Sequence, residues 1–187
     1  VRKEMADIVD FWMEKGVHGF RFDVVNLISK GSFEDDPHLY DGRQFYTDGP
    51  HVHEYLKELN LHSFGKDPEH LTVGEMSSTS IDNCTEYAGS KSEELDMVFS
   101  FHHLKVDYKD QMKWELKPFD FMELKQIMNE WQTGMQEKDA WNALFLNNHD
   151  QPRALSRFGD DKKYPKESAK MLATFIHMMR GTPYIYE

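Results

Sequence analysis

One cysteine in 187 residues, Cys84, leaves no partner for an internal disulfide. A chain of this kind is expected in a reducing compartment, so the cytoplasm is the expected location. No apolar run approaches the roughly 20 residues of a membrane-spanning helix, and the opening residues do not read as a signal peptide; no membrane partner is expected. Basic residues are also scarce, with 22 Lys and Arg against 33 Asp and Glu and a net charge of −11. A phosphate backbone would be repelled, which argues against nucleic acid as a partner. Neither a G-x-x-x-x-G-K loop nor a G-x-G-x-x-G fingerprint occurs. His51 and His53 form an H-x-H and His102 and His103 a pair, but no cysteine stands with them and no two histidines are four apart, so no metal site is expected. Repeats and low-complexity segments are missing too, and no shift in composition marks an internal boundary.

What is present is the composition of a globular domain, 39% hydrophobic and 29% charged, in a chain long enough to bury a core. Ile8, Phe11 and Trp12 give a first helix one apolar stripe, with Gly16 as its stop. Further helices are expected over "HVHEYLKELNLHSFG", around 81–88, over "FMELKQIMNEWQTGM" and over "KESAKMLATFIHMM". Strands are expected near 18–25, 70–76, 94–101, 143–148 and 182–186, and a long polar loop over 31–50. Both ends read as cut within an element, so a piece of a longer protein is expected.

Strands alternating with helices imply βαβ units and a parallel sheet, either doubly wound or closed into a barrel. The strand ends favour the barrel. Asp23 and Asn26, then Glu75, then His102 and His103, then His149 and Asp150 follow successive strands. A (β/α)₈ barrel builds its active site at that edge.

In "GFRFDVV" strand alternation places Arg21, Asp23 and Val25 on one face and Phe20, Phe22 and Val24 on the other. A parallel strand should be nearly all apolar. The two charges read either as a structural ion pair or as a carboxylate kept ionised by its guanidinium and available as a nucleophile. In "LTVGEMSS" Glu75 shares a face with Val73 and reaches the strand's end. Alone it would be a solvated residue; beside a second inward carboxylate it fits an acid/base role. "NNHDQPR" brings Asp150 with Asn148 and His149. It reads either as an Asx-rich turn closed by Pro152 or as a third acid among sugar-binding groups. Two carboxylates flanking a scissile bond are what glycoside hydrolysis needs. His51 and His53 are expected at the surface, and Trp131 in the core of its helix.

"GFRFDVVNLISK", "TVGEMSS", "NNHDQPR" and "GTPYIY" together resemble, in order, four blocks of the α-amylase family, glycoside hydrolase family 13. The resemblance implies an α/β fold, a partial (β/α)₈ barrel comprising about strands 4 to 8 over residues 1–187. The first strands, the family's first block and the inserted B domain would lie outside this chain, so the piece alone would not close a barrel or be active. It further implies a retaining mechanism with Asp23 as nucleophile, Glu75 as general acid/base and Asp150 as transition-state stabiliser. Arg21 would position Asp23, while His149, Asn148 and Arg153 would contact substrate.

"GRQFYTDGP", "LDMVFSFHHLKVDY" and "WNALFLNNHDQPR" narrow the resemblance to phospho-α-(1,1)-glucosidases, which act on trehalose 6-phosphate. Oligo-1,6-glucosidases on neutral α-glucosides are the alternative. The partner would then be a small sugar phosphate, with Lys105 the first candidate for its phosphate and Lys113 the second. No cofactor is expected, apart from the structural calcium that the absent part could hold. His51 stands where the pattern has Arg, and Glu187 follows "YIY" directly where Gln-Gly-Glu is usual.

Overall fold

The computed structural model describes residues 1–35, 42–110 and 112–187, so part of the expected 31–50 loop lies outside the described residues. The chain forms two compact units, Val1–Ser100 with Met135–Trp141, and Phe101–Gly134 with Asn142–Glu187.

The first unit runs α1 (Arg2–Glu14), β1 (Gly19–Phe22), α2 (Val52–His62), β2 (Leu71–Glu75), α3 (Ile81–Ala88) and β3 (Met97–Phe99). β2 lies between β1 and β3 and is parallel to both, with Gly19 opposite Leu71 and Glu75 opposite Phe99. Thr72 to Glu75 are all buried, as expected for a strand covered on both faces. Gly74 is closely packed there: a Cβ would stand 2.6 Å from Leu95 Cδ1, which would have to move. α3 opens on Ser80, whose Oγ accepts the Asn83 N–H at 3.1 Å and satisfies one of the helix's free donors. Val52, Leu56, Phe64, Met76, Cys84 and Tyr87 fill the core. Burial pushes the Cys84 thiol up to about 12, leaving it an inert side chain.

The helix stop at Gly16 is present, at φ 87 with its N–H on Met13 O. The expected inward stripe is not. Ala6 and Val9 are buried, whereas Ile8, Phe11 and Trp12 are about half exposed. Apolar residues occupy two sides of α1, and the small side chains of Ala6 and Val9 permit the closer approach.

The second unit begins with a 3₁₀ turn, His102–Lys105. It continues with the antiparallel pair β4 (Tyr108–Lys109) and β5 (Met112–Leu116), α4 (Phe121–Glu137, of which residues 121–134 belong here), β6 (Asn142–Leu144), α5 (Ala154–Phe158), α6 (Pro165–His177) and β7 (Thr182–Pro183). β6 and β7 are parallel, with Ala143 opposite Thr182. The β4–β5 hairpin and α5 add to the expected elements, and β3, β6 and β7 are shorter than expected.

Arg157 and Asp107 form a buried ion pair, and Arg157 also donates to Leu104 O at 2.6 Å. His103 is buried, its Nε2 2.7 Å from Phe145 O, and burial lowers its pKa to about 4. Trp131 is buried, as expected, against the His102 ring. Among the described residues no helix is long and apolar enough to cross a membrane.

Candidate active site

β1 ends at Phe22 and the chain turns. Val24 takes the left-handed region, φ 36 and ψ 46, which a β-branched residue seldom adopts. The strand alternation expected through Val25 therefore stops at Phe22. Val25 and Asn26 are buried together in the 3₁₀ turn Val25–Leu27 and do not continue the strand. The turn aims the Val24 N–H at Glu75 Oε2, 3.2 Å away.

Glu75 is the last residue of β2, its side chain 8% exposed. Arg21 Nη2 donates to Glu75 Oε2 at 2.6 Å, and Arg21 Nη1 pairs with Asp23 Oδ1. One guanidinium thus joins the two carboxyls that the sequence placed at two strand ends. Asp23 is the open member, its side chain 72% exposed. Burial raises the pKa of Glu75 above the usual carboxylate range, and neighbouring Asp23 pushes the same way. The Val24 N–H and the Arg21 charge oppose that rise. An enclosed carboxyl whose neutral form is favoured by burial, beside an open carboxyl, is a pairing suited to general acid and nucleophile. A cavity of about 1140 Å³ touches Arg21 and Asp23, but α1 and α2 supply most of its lining and Glu75 is not part of it; it is not where the two carboxyls meet.

In the second unit the stretch after β6 is a tight turn. Asn148 Oδ1 accepts the Asp150 N–H at 2.9 Å, and Asn148 O accepts the Gln151 N–H at 3.2 Å. The Asx turn read from composition is therefore real. His149 Nε2 lies 3.3 Å from Asp150 Oδ2, and both side chains are more than half exposed. Arg153 pairs with Glu187 and covers the Tyr186 ring, 4.8 Å from its centroid. Lys105 closes the His102–Lys105 turn that follows β3. Lys113 lies on β5, its Nζ 4.9 Å from the centre of the Trp114 ring.

Three side chains carry more than the sequence reading gave them. His53, expected at the surface, is half-buried, with Nδ1 3.0 Å from both oxygens of buried Glu94 and Nε2 3.1 Å from Glu86. Asn26 and Asp48 bond to each other across 22 positions. No local pattern announces such pairs; the nearest signal was the polar loop over 31–50, which contains Asp48.

Comparison with known proteins agrees with this geometry. Residues 1–187 match the family described as "Alpha amylase, catalytic domain". The whole chain is 58% identical to the trehalose-6-phosphate hydrolase of Bacillus subtilis (strain 168), covering 33% of that protein. It is 46% identical to the oligo-1,6-glucosidase of Parageobacillus thermoglucosidasius, covering 34% of it. The crystal structure of Bacillus licheniformis trehalose-6-phosphate hydrolase superimposes on the whole chain with a TM-score of 0.94 at 59% identity, covering 33% of that chain. The chain thus spans about a third of the length of the relatives it matches. Its parallel strands and helices are those of part of a (β/α)₈ barrel.

Proposed function

The chain belongs to the α-amylase catalytic-domain family, and from that premise we propose that it carries the nucleophile and the general acid of a retaining α-glucosidase that hydrolyses trehalose 6-phosphate. Asp23 attacks the anomeric carbon of the non-reducing glucose while Glu75 protonates the bridging oxygen. Glucose 6-phosphate leaves. Glu75, now a base, takes a proton from water, and that water releases glucose with retained configuration. Retention calls for carboxyls about 5–5.5 Å apart. The observation that carries the reading is the single guanidinium of Arg21 held by both Asp23 and enclosed Glu75. In this reading Arg21 orients Asp23. Asp150, with Asn148 and His149, stabilises the oxocarbenium-like charge and holds sugar hydroxyls, and Arg153 contacts substrate. The chemistry requires no cofactor, and the cytoplasm is the proposed compartment.

The greater identity to a trehalose-6-phosphate hydrolase than to an oligo-1,6-glucosidase supports the phosphorylated substrate. Lys105 is the proposed phosphate contact, with Lys113 second. Two measurements on the intact protein test this. Glu75→Gln should lose kcat/KM for the disaccharide yet spare kcat/KM for a nitrophenyl α-glucoside, whose leaving group needs no proton; equal losses in kcat/KM would remove Glu75 from the acid role. Lys105→Ala should raise KM for trehalose 6-phosphate alone. Equal effects on a neutral glucoside would favour the oligo-1,6-glucosidase reading.

A further inference from the structure

The segments after β1 and after β2 are joined by a network that the reaction above does not use. Asn26 is fully buried. Its Nδ2 donates to Ser77 O at 2.7 Å and to Asp48 Oδ1 at 3.1 Å, and its Oδ1 accepts the Ser77 N–H at 2.9 Å. Asn26 lies just beyond Asp23 and Ser77 just beyond Glu75, so this one side chain spans the segments that carry both acids. Asp48 backs it. Its carboxylate also accepts the Tyr87 hydroxyl at 2.7 Å and Asn83 Nδ2 at 2.6 Å, both from α3. Its N–H donates to Asn26 O at 2.9 Å. Asp48 has φ 49, and next to it a Cβ on Gly49 would stand 2.1 Å from Ser29 O. The 48–49 backbone is pressed against the post-β1 turn.

We propose that Asp48 is a positioning residue for the carboxyl pair: through Asn26 it holds the Val24 turn against the post-β2 segment and keeps the Val24 N–H on Glu75. The inference rests on the reading of Asp23 and Glu75 as the catalytic pair. Its physical basis is strain. A β-branched residue in the left-handed region lies above its relaxed conformations and persists only where its surroundings impose it. Asn26, two residues on, supplies that restraint with bonds in both directions along Ser77. Without the Asp48 carboxylate, a fully buried amide loses an acceptor and the segment is driven to rearrange. The turn then relaxes, the Val24 N–H leaves Glu75, and ionised Glu75 loses a donor that favours it. Glu75 would hold its proton to higher pH.

The test is the pH profile of kcat in the intact protein carrying Asp48→Ala or Tyr87→Phe. His103→Gln, which removes a buried imidazole bonded to Phe145 O in the second unit, controls for plain destabilisation. For Asp48→Ala the expected result is a kcat lower by about tenfold to a hundredfold, the scale of a slightly misplaced catalytic group. KM should stay within about threefold, and the alkaline limb should move to higher pH. Tyr87→Phe should move the limb the same way by less, and it decides alone if Asp48→Ala does not fold. An alkaline limb left in place overturns the proposal, as does an equal shift in His103→Gln. Asp23→Asn and Glu75→Gln run alongside: if they keep turnover, the catalytic reading falls; if they are inactive while the Asp48 variants behave normally, only the positioning role falls.

Discussion

In the first unit Glu75 is enclosed and shares a guanidinium with Asp23, whereas in the second Asp150 stands in a turn with its side chain more than half exposed. The first arrangement joins residues 54 positions apart, Arg21 and Glu75. The second is built from neighbours, Asn148 holding the Asp150 N–H two residues on. The difference separates tuning from presentation. Burial and a shared guanidinium shift the protonation of Glu75, so changes anywhere in that network should reach the chemistry. The Asp150 turn keeps its shape by itself, so a change to its carboxylate should alter chemistry and leave structure alone.

The largest effect expected is at the open acid of the first cluster. In the intact protein Asp23→Asn should lower turnover by about a thousandfold or more, as removal of a nucleophile does. Steady-state kinetics at several pH values would check it; retention of more than about a tenth of normal turnover would break the comparison at its stronger end. Next comes Asp150→Asn. It leaves the Asn148–Asp150 backbone bond intact, so stability should change by no more than about 0.5 kcal/mol. Turnover should still fall by about a hundredfold, the scale of one lost electrostatic contact to a transition state. A large fall in melting temperature for this variant would show that the turn is no more self-sufficient than the guanidinium-linked pair.

The same contrast explains what could be read from the sequence. Glu75 was legible because β2 is a short apolar run whose last residue must emerge at its end. Arg21 and Asp23 were legible as a pair because charge is rare in a parallel strand. The turn at Val24 was not: a glycine or asparagine would announce positive φ, and "DVV" announces a continuing strand. The inward face of α1 was not legible either, because apolar residues lie on two of its sides and packing decided between them. The β4–β5 hairpin turns through Asp110 at φ 49 without a glycine, so the usual turn signal is missing. The Asn26–Asp48 and His53–Glu94 pairs depend on folding segments far apart in sequence, and only coordinates join them.

Histidines sharpen the comparison at smaller scale. In the second unit His103 is held neutral by burial, its pKa near 4. The unfolded chain protonates near 6.5, so this contribution to stability is present above that value and is lost as pH falls toward 4. Between pH 7 and pH 5 the loss should be about 2 kcal/mol. Denaturant unfolding of the parent and of His103→Gln at the two pH values would measure it: the variant should lose less stability over that interval by this amount, and equal losses would mean that His103 is not buried neutral.

The smallest effect has the opposite sign and belongs to the first unit. The hydrogen bond to Glu94 raises the pKa of His53, so the folded chain keeps this proton to higher pH than the unfolded one. The resulting stability is fully present below about 6.5 and is lost as pH rises through the raised value. His53 is a third exposed, so solvent screening should keep the contribution to about 1 kcal/mol or less. Hydrogen exchange of α2 amides at pH 6 and pH 8 would detect it, with His53→Gln as the reference that lacks the slope. Identical slopes in the two proteins would place the Glu94 charge with Lys57, whose Nζ is 3.8 Å away, and leave His53 a spectator in a network that its geometry makes it close.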